Sequence, residues 1–367
     1  MERDIIPKLK AWKDSPNRKP LMLKGARQVG KTWALKEFGR QAYDNVAYLS
    51  LEKLAPGIPS EYAQFFEQTH DVGRIVRNLS MALGIDIVPG RTLVILDEIQ
   101  DCPAAIGSLK YFAEDAPEQH VACAGSLLGV ALARESGSFP VGKVTFREMG
   151  PLSFSEFLRA TGASGLDSYC QELGEPQQIP GVFATQLEER LQAYFAVGGM
   201  PEAVRTYADG MGWAEVDRGL SDLLDSYERD FAKHGGATMY AKLSQVWRSL
   251  PAQLARENKK FMWGVVREGA RAREYEGAVI WLENAGLIRR VVRSTGPAIP
   301  LSAHDDPSAF KAYCLDTGLL RRLAGLGPEP FGRKEQLFSQ FKGAFAENFV
   351  LGALLRQLDV APRYWTC

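Results

Sequence analysis

Short apolar segments alternate with amphipathic stretches along the first 150 residues of the chain. Several of these segments are apolar throughout, which is typical of strands buried on both faces of a parallel sheet. The alternation predicts an α/β domain in which helices cover a five-stranded parallel sheet. The predicted strands are residues 20–24, 46–51, 92–96, 120–124 and 143–146, and the predicted helices are residues 33–40, 60–83 (in one or two pieces) and 106–113.

Beyond residue 160 the pattern becomes that of a helical protein. A polar, glycine-rich stretch at residues 161–181 predicts a loop or insertion, and helical periodicity dominates residues 186–254. Residues 276–284 predict a helix that closes near Gly286 and leads into a strand at residues 287–292. These changes divide the chain into four parts, residues 1–160, 161–235, 236–330 and 331–367.

The composition is that of an ordinary globular protein, with 46% hydrophobic and 24% charged residues among 367. Basic and acidic residues number 44 each, so the net charge carries no information about a polyanionic partner. Five scattered cysteines argue against a disulfide framework and a zinc site, and favour a reducing compartment. Because the N-terminus lacks an apolar signal core and no apolar run could span a bilayer, we expect a cytoplasmic protein without membrane contact.

Residues 25–32 match the pattern G-x-x-x-x-G-K-[ST] at every position. A strand precedes them and a helix follows, so main-chain N–H groups and a helix N-terminus converge on one point, which suits a polyphosphate. In such a loop Lys31 reaches the terminal phosphates and the Thr32 hydroxyl holds Mg²⁺. The alternative is a glycine turn between two core elements. The predicted nucleotide-binding residues are Gly25, Ala26, Arg27, Gln28, Val29, Gly30, Lys31 and Thr32.

Two acids follow the buried strand at residues 92–96. Asp97 is predicted to hold Mg²⁺ through water beside the phosphate loop. Glu98 is predicted to accept a proton from the water that attacks the γ-phosphate. Ser126, after the next strand, is expected between the first and third strands near that phosphate, so the predicted catalytic residues are Glu98, Lys31 and Ser126. Surface acids and a turn serine are the structural alternatives.

Phosphoryl transfer commonly also needs an arginine, which a neighbouring subunit can supply. The candidates are Arg147 and Arg229, with Lys143 as a cationic substitute. Each of them is equally explained as a solvated surface charge. The sequence selects none of them, and the oligomeric state stays open.

Further segments accompany the phosphate loop and the acid pair, at residues 124–126, 151–158, 194–202, 313–320 and 343–350. Together they resemble a family of prokaryotic ATPases of the AAA+ superfamily that carry a C-terminal domain of unknown function. The resemblance implies a P-loop NTPase fold with ATP and Mg²⁺ as cofactors. It also implies a helical lid, a winged-helix domain and the start of an α/β nuclease-like domain of the PD-(D/E)xK type. Lys143 stands where that family usually has arginine.

The part expected to form the winged helix is locally basic. A helix that carries several cations could contact DNA phosphates, while protein docking is the equal alternative, and no base contact is predicted. Eleven basic residues face five acidic ones, an excess of about six positive charges. The basic residues are Lys242, Arg248, Arg256, Lys259, Lys260, Arg267, Arg271, Arg273, Arg289, Arg290 and Arg293, and the acidic ones are Glu257, Glu268, Glu274, Glu276 and Glu283.

Residues 340–357 predict an amphipathic helix that carries Glu347, and residues 363–365 predict the start of a strand. The resemblance makes these elements the opening of the nuclease-like part, whose metal-binding acids would come after Cys367. We therefore expect a shortened segment at residues 331–367 with an exposed strand edge and without nuclease activity.

The leading hypothesis is a Mg²⁺-dependent ATPase whose nucleotide state sets the position of the C-terminal parts on DNA or on a protein partner. Self-association is a further possibility. The alternative is a nucleotide-gated DNA-binding regulator with little or no turnover. A small-molecule kinase also begins with this loop, but the Asp97–Glu98 pair and the long C-terminal part weigh against it.

Overall fold

The computed structural model describes residues 1–55, 57–130, 140–173, 178–256, 260–328, 339–358 and 360–365. The chain divides into two compact units. One unit is Arg3–Gly150, and the other comprises Met1–Glu2 and Pro151–Cys367. We refer to them as the N-terminal and the C-terminal unit.

The N-terminal unit is built on a parallel sheet. Its strands are β1 (Leu21–Lys24), β2 (Asn45–Ser50), β3 (Thr92–Asp97), β4 (His120–Gly125) and β5 (Thr145–Glu148). They lie in the order β2-β3-β4-β1-β5, and every neighbouring pair is parallel. Strands β3 and β4 are buried along their whole length, as their uninterrupted apolar sequences predict. The predicted five-stranded parallel sheet is confirmed.

Helices from the described part of this unit accompany the sheet. They are α1 (Ile5–Lys13), α2 (Lys31–Ala42), α3 (Gln64–Glu67), α4 (Val72–Leu83) and α5 (Pro103–Glu114). The helical stretch predicted at residues 60–83 is thus two helices. The second begins where the Asp71 side chain accepts a hydrogen bond from the Arg74 amide, and it ends at Gly84, whose φ of 64° is left-handed. Helices α3, α4 and α5 contribute Phe66, Ile75 and Leu109 to one core cluster with apolar residues of the sheet.

The C-terminal unit is mainly helical. Its helices are α6 (Phe154–Ala160), α7 (Ser164–Glu172), α8 (Gly181–Val197), α9 (Pro201–Ala208), α10 (Trp213–Leu254), α11 (Trp263–Val266), α12 (Ala272–Asn284), α13 (Thr317–Leu323) and α14 (Ser339–Gln357). Helix α10 is interrupted at Gly236, where φ is 65° and ψ is 169°. A loop or insertion was predicted at residues 161–181, and α7 shows that a loop was wrong for residues 164–172. Buried polar contacts hold α7, since Asp167 pairs with Arg159 of α6 at 2.7 Å.

Three strands form the sheet of the C-terminal unit. Strand β6 (Ile288–Ser294) pairs antiparallel with β7 (Asp305–Cys314), and β8 (Arg363–Tyr364) pairs parallel with β6. The last strand, expected to begin a nuclease-like part, is therefore an edge strand of the β6–β7 sheet, where Arg363 also pairs with Asp305 at 2.9 Å. Of the segment predicted at residues 331–367, residues 331–338, 359 and 366–367 lie outside the described residues.

Three of the segments singled out in the sequence meet inside the C-terminal unit. The Leu152 amide donates to the Gly199 carbonyl at 2.6 Å, and the Tyr194 hydroxyl donates to the Leu152 carbonyl at 2.7 Å. The Gly199 amide donates to Asp316 Oδ2, also at 2.6 Å. Burial raises the pKa of Asp316, while hydrogen bonds from main-chain amides oppose that rise. We call the contacts among Leu152, Gly199, Asp316 and Gly318 the Asp316 junction.

The Asp316 junction depends on glycine because main chains approach there without room for a side chain. A Cβ on Gly199 would lie 2.2 Å from the Leu152 carbonyl oxygen, and one on Gly318 would lie 2.2 Å from the Val197 carbonyl oxygen. Both obstacles are backbone atoms that cannot rotate away. These two glycines therefore set how closely the three segments pack.

Gly199→Ala is expected to lower the free energy of unfolding by about 2–3 kcal/mol, because the added methyl group must push two main chains apart. Gly219→Ala is the matched control, since a Cβ there meets nothing within 4 Å and alanine favours the interior of helix α10. The control should be neutral or stabilising. Urea denaturation of both variants compares them, and equal stabilities would contradict the steric account.

Candidate functional site

The phosphate loop connects β1 to the first turn of α2, as predicted. Gly25 has a φ of 153°, and a Cβ there would lie 2.1 Å from the Met149 carbonyl oxygen. Gly30 has a φ of 94° and directly precedes α2. Gln28 is a non-glycine residue with a positive φ, 63°. The first glycine of the motif therefore leaves room for the main chain at Met149. The second glycine provides the left-handed turn into the helix.

Arg3 holds this loop through hydrogen bonds to main-chain carbonyl groups, and sequence reasoning did not find it. Its side chain is buried, and its guanidinium donates to the Val29 carbonyl and to the Gly150 carbonyl, both at 2.7 Å. One side chain thus ties the phosphate loop to the chain that leaves β5. No motif marks Arg3, because its role depends on contacts with residues 26 and 147 positions away.

Lys31 lies inside the loop that carries it. Its ammonium group donates to the carbonyl oxygens of Gly25 and Ala26 at 2.9 and 2.8 Å. Burial lowers the pKa of Lys31 from 10.5 to about 8, against the opposing effect of Glu98 and Asp97. An anion that replaced the two carbonyl groups would gain a desolvated cation as its partner.

The two predicted metal ligands are in direct contact. Thr32 Oγ1 donates to Asp97 Oδ2 at 2.8 Å, which joins the start of α2 to the end of β3. The Tyr48 hydroxyl donates to the same oxygen at 3.1 Å, and the Glu98 amide donates to Asp97 Oδ1 at 3.1 Å. One carboxylate and one hydroxyl fit Mg²⁺, which takes few protein oxygens and completes its shell with phosphate and water.

Tyr48 is a second residue that sequence reasoning missed. It lies on β2 in register with Ile95 of β3, and the Lys36 ammonium group lies 3.4 Å from the centre of its ring. Burial and the neighbouring Asp97 raise the pKa of Tyr48 to about 12, so its hydroxyl keeps its proton and acts as a donor. A tyrosine in an alternating strand carries no signal of this contact.

Glu98 directly follows Asp97 in a left-handed conformation, with φ of 50° and ψ of 41°. Its carboxylate accepts hydrogen bonds from Gln100 Nε2 at 2.6 Å and from Ser126 Oγ at 3.2 Å. Strand β4 lies between β1 and β3, so Ser126 follows the strand expected to carry it. The structure thus brings Lys31, Thr32, Asp97, Glu98 and Ser126 to the carboxyl end of one sheet.

The three predicted cationic partners of the transferred phosphoryl group lie in different parts of the structure. Lys143 precedes β5 and pairs with Glu114 at 2.8 Å, at the edge of the sheet opposite the phosphate loop. This pairing holds Lys143 away from the phosphate loop of its own unit, and its candidacy as a cationic substitute stays a prediction. Arg147 lies on the exposed edge strand β5 and donates to the Phe146 carbonyl. Arg229 belongs to α10 of the other unit.

Acidic residues from outside residues 242–293 neutralise part of the positive charge of this stretch. Arg248 pairs with Glu228 at 2.7 Å, and Arg293 pairs with Asp306 at 2.5 Å. Both acids lie outside the stretch over which the charges were counted. Two counted residues, Glu257 and Lys259, lie outside the described part of the chain. Charge alone therefore favours a DNA contact less than the sequence indicates.

Comparison with known proteins agrees with this geometry. Residues 17–158 match a family model described as AAA domain, and residues 188–330 match one described as a domain of unknown function (DUF8612). Comparison with curated protein sequences yields no match. A search of the described residues for a helix with the length and hydropathy of a membrane span finds none.

One solved structure supports the fold, and a second is similar to this chain at a lower TM-score. The Walker-type ATPase PABY2304 of Pyrococcus abyssi is similar over 88% of this chain and 95% of its own, with 14% identity and a TM-score of 0.54. The ORC2 protein of Aeropyrum pernix in ADPNP–ADP complexes is similar over 90% and 94%, with 12% identity and a TM-score of 0.41. The N-terminal unit accordingly has the fold of a P-loop NTPase, and its residues 17–158 are similar to the AAA domain model.

Tyr48→Phe is expected to raise the Mg²⁺ concentration needed for nucleotide binding about 2- to 10-fold, because Asp97 loses one of its donors and turns more freely. Binding of a fluorescent ATP analogue measures this, with Mg²⁺ titrated and with the metal chelated. Affinity without metal should stay unchanged. Tyr43→Phe is the control, since that hydroxyl contacts His120 away from the site. An identical Mg²⁺ dependence in Tyr48→Phe and the parent protein would contradict the role of Tyr48.

Proposed function

We propose that this protein is a Mg²⁺-dependent ATPase in which binding and hydrolysis of ATP drive a conformational switch of the C-terminal unit. The observation that carries the proposal is the 2.8 Å contact between Thr32 and Asp97, with Glu98 as the next residue. A structural glycine turn would not require a buried lysine, a hydroxyl and two acids at one point.

Each of these residues has a distinct task in the proposed reaction. The main-chain amides of residues 25–32 and the Lys31 ammonium group bind the triphosphate. Thr32 and Asp97 hold Mg²⁺, which neutralises charge on the phosphates when it is bound. Glu98 accepts the proton of the attacking water, and Ser126 orients the Glu98 carboxylate through their 3.2 Å hydrogen bond.

The route by which the site influences the rest of the chain runs through residues 149–152. In the N-terminal unit, Met149 lies against Gly25, and Arg3 holds Gly150. In the C-terminal unit, Leu152 belongs to the Asp316 junction. Only Pro151 separates these two anchored points along the chain. We infer that a change in the conformation of the phosphate loop is transmitted through this short segment.

The partner is proposed to contact the part at residues 236–330. Its second half of α10, α11, α12 and the β6–β7 hairpin follow the order of a winged-helix unit. Exposed positions on α12 include Arg273, Glu276, Gly277 and Ile280, a mixture of charges with an apolar residue. That mixture supports a protein partner as much as DNA, because phosphate contacts require a surplus of cations.

Phosphate release from ATP, measured with and without duplex DNA, tests the proposal. Glu98→Gln should bind ATP like the parent protein and hydrolyse it about 100-fold more slowly or worse, because a proton acceptor is replaced by an amide of the same shape. Lys31→Ala should lose tight ATP binding in calorimetry. Unchanged hydrolysis in Glu98→Gln would overturn the assignment. Tight ATP retention without phosphate release by the parent protein would favour the alternative, a nucleotide-gated DNA-binding regulator.

A further inference from the structure

Gln100 holds the carboxylate of Glu98 through its side-chain amide. It lies in the 3-10 turn Ile99–Asp101 that directly follows Glu98, and the turn is closed by the Asp101 amide, which donates to the Glu98 carbonyl at 3.0 Å. Gln100 Nε2 donates to Glu98 Oε2 at 2.6 Å. The turn therefore fixes the backbone of Gln100 relative to that of Glu98, at a separation that lets the side-chain amide reach the carboxylate.

The oxygen of the Gln100 side-chain amide lies against Gly125, the last residue of β4. A Cβ on Gly125 would lie 2.1 Å from Gln100 Oε1 and 3.3 Å from Gln100 Cδ. Gln100 Oε1 is buried and accepts no hydrogen bond from the described residues. Rotating the amide by half a turn would aim this oxygen at the Glu98 carboxylate, which is repulsive, so the donor end must face Glu98.

A buried oxygen without a hydrogen-bond donor is energetically unfavourable, and the arrangement here therefore requires an explanation. Packing alone does not supply one, because an apolar side chain of similar shape would fill the same space without this cost. The hydrogen bond to Glu98 does supply one, since it restrains the carboxylate beside Ser126.

We propose that Gln100 is a positioning residue for ATP hydrolysis, and that glycine is required at residue 125 because only glycine leaves room for the Gln100 amide. The inference rests on the proposed role of Glu98 as proton acceptor. Gln100 touches neither the nucleotide site loop nor the two metal-binding side chains in its described contacts. Its loss should therefore slow the chemical step and leave ATP binding intact.

Three variants test this by steady-state hydrolysis and calorimetric ATP binding. Gln100→Ala should lower kcat about 10- to 100-fold, with KM and the Kd for ATP within about 2-fold of the parent protein. Gln100→Met keeps a side chain of similar length but loses the donor, and should lower kcat about as much. A packing role would instead leave Gln100→Met close to the parent protein. Gln41→Ala is the control, because this exposed amide binds Glu37 on the outer surface of α2.

Gly125→Ala and Gln100→Ala, made singly and together, form a double-mutant cycle. The methyl group of Gly125→Ala should displace the Gln100 amide and lower kcat in the parent background. In the Gln100→Ala background the same methyl group meets no amide, so kcat should fall by less than about 2-fold further. Leu128 Cβ lies 3.3 Å from the added atom and must shift slightly in both backgrounds. The effect of this shift on kcat therefore cancels in the cycle.

Additive effects of the two substitutions, or a kcat of Gln100→Ala within 2-fold of the parent value, would overturn the inference. If Gly125→Ala does not fold, the comparison of Gln100→Ala with Gln100→Met decides it alone. The failure of the proposed function looks different, because Glu98→Gln would then hydrolyse ATP normally. An inactive Glu98→Gln beside a fully active Gln100→Ala would leave the ATPase proposal standing and reject only the role of Gln100.

Discussion

The hydrogen bond from Thr32 to Asp97 is the interaction on which the candidate site depends. It joins α2 to the end of β3, although β4 lies between β1 and β3 in the sheet. Parallel strands make this possible, because their carboxyl ends all open at one edge and bring residues 65 positions apart into contact. Lys31, Glu98 and Ser126 are assembled by the same constraint, and Tyr48 reaches Asp97 from the next strand.

A second constraint is that, at a few glycines, another part of the protein lies so close that a side chain would not fit. Gly25 admits Met149 to the phosphate loop, Gly125 admits the Gln100 amide, and Gly199 admits Leu152 to the Asp316 junction. The first two contacts lie in the N-terminal unit and the third lies in the C-terminal unit. In all three, glycine is the residue that leaves room for the neighbouring segment.

The sheet, the phosphate loop and the acid pair could be predicted from the sequence because each has a local signature. Uninterrupted apolar runs mark β3 and β4, and the loop follows a fixed spacing. Arg3 and Tyr48 could not be found, since each acts through contacts with residues that are distant in the sequence. Gln100 follows the acid pair by two positions and carries no signal of its contact with Glu98. Helix α7 was mistaken for a loop because buried polar contacts, such as that of Asp167, stabilise it in place of apolar periodicity.

A crystal structure of Glu98→Gln with ATP and Mg²⁺ tests the central claim most directly. The account predicts the triphosphate on the amides of residues 25–32, the metal beside Thr32 and Asp97, and Lys31 Nζ moved from the Gly25 and Ala26 carbonyls to the phosphates. A nucleotide bound elsewhere, with Lys31 still on those carbonyls and no metal at Thr32, would contradict it.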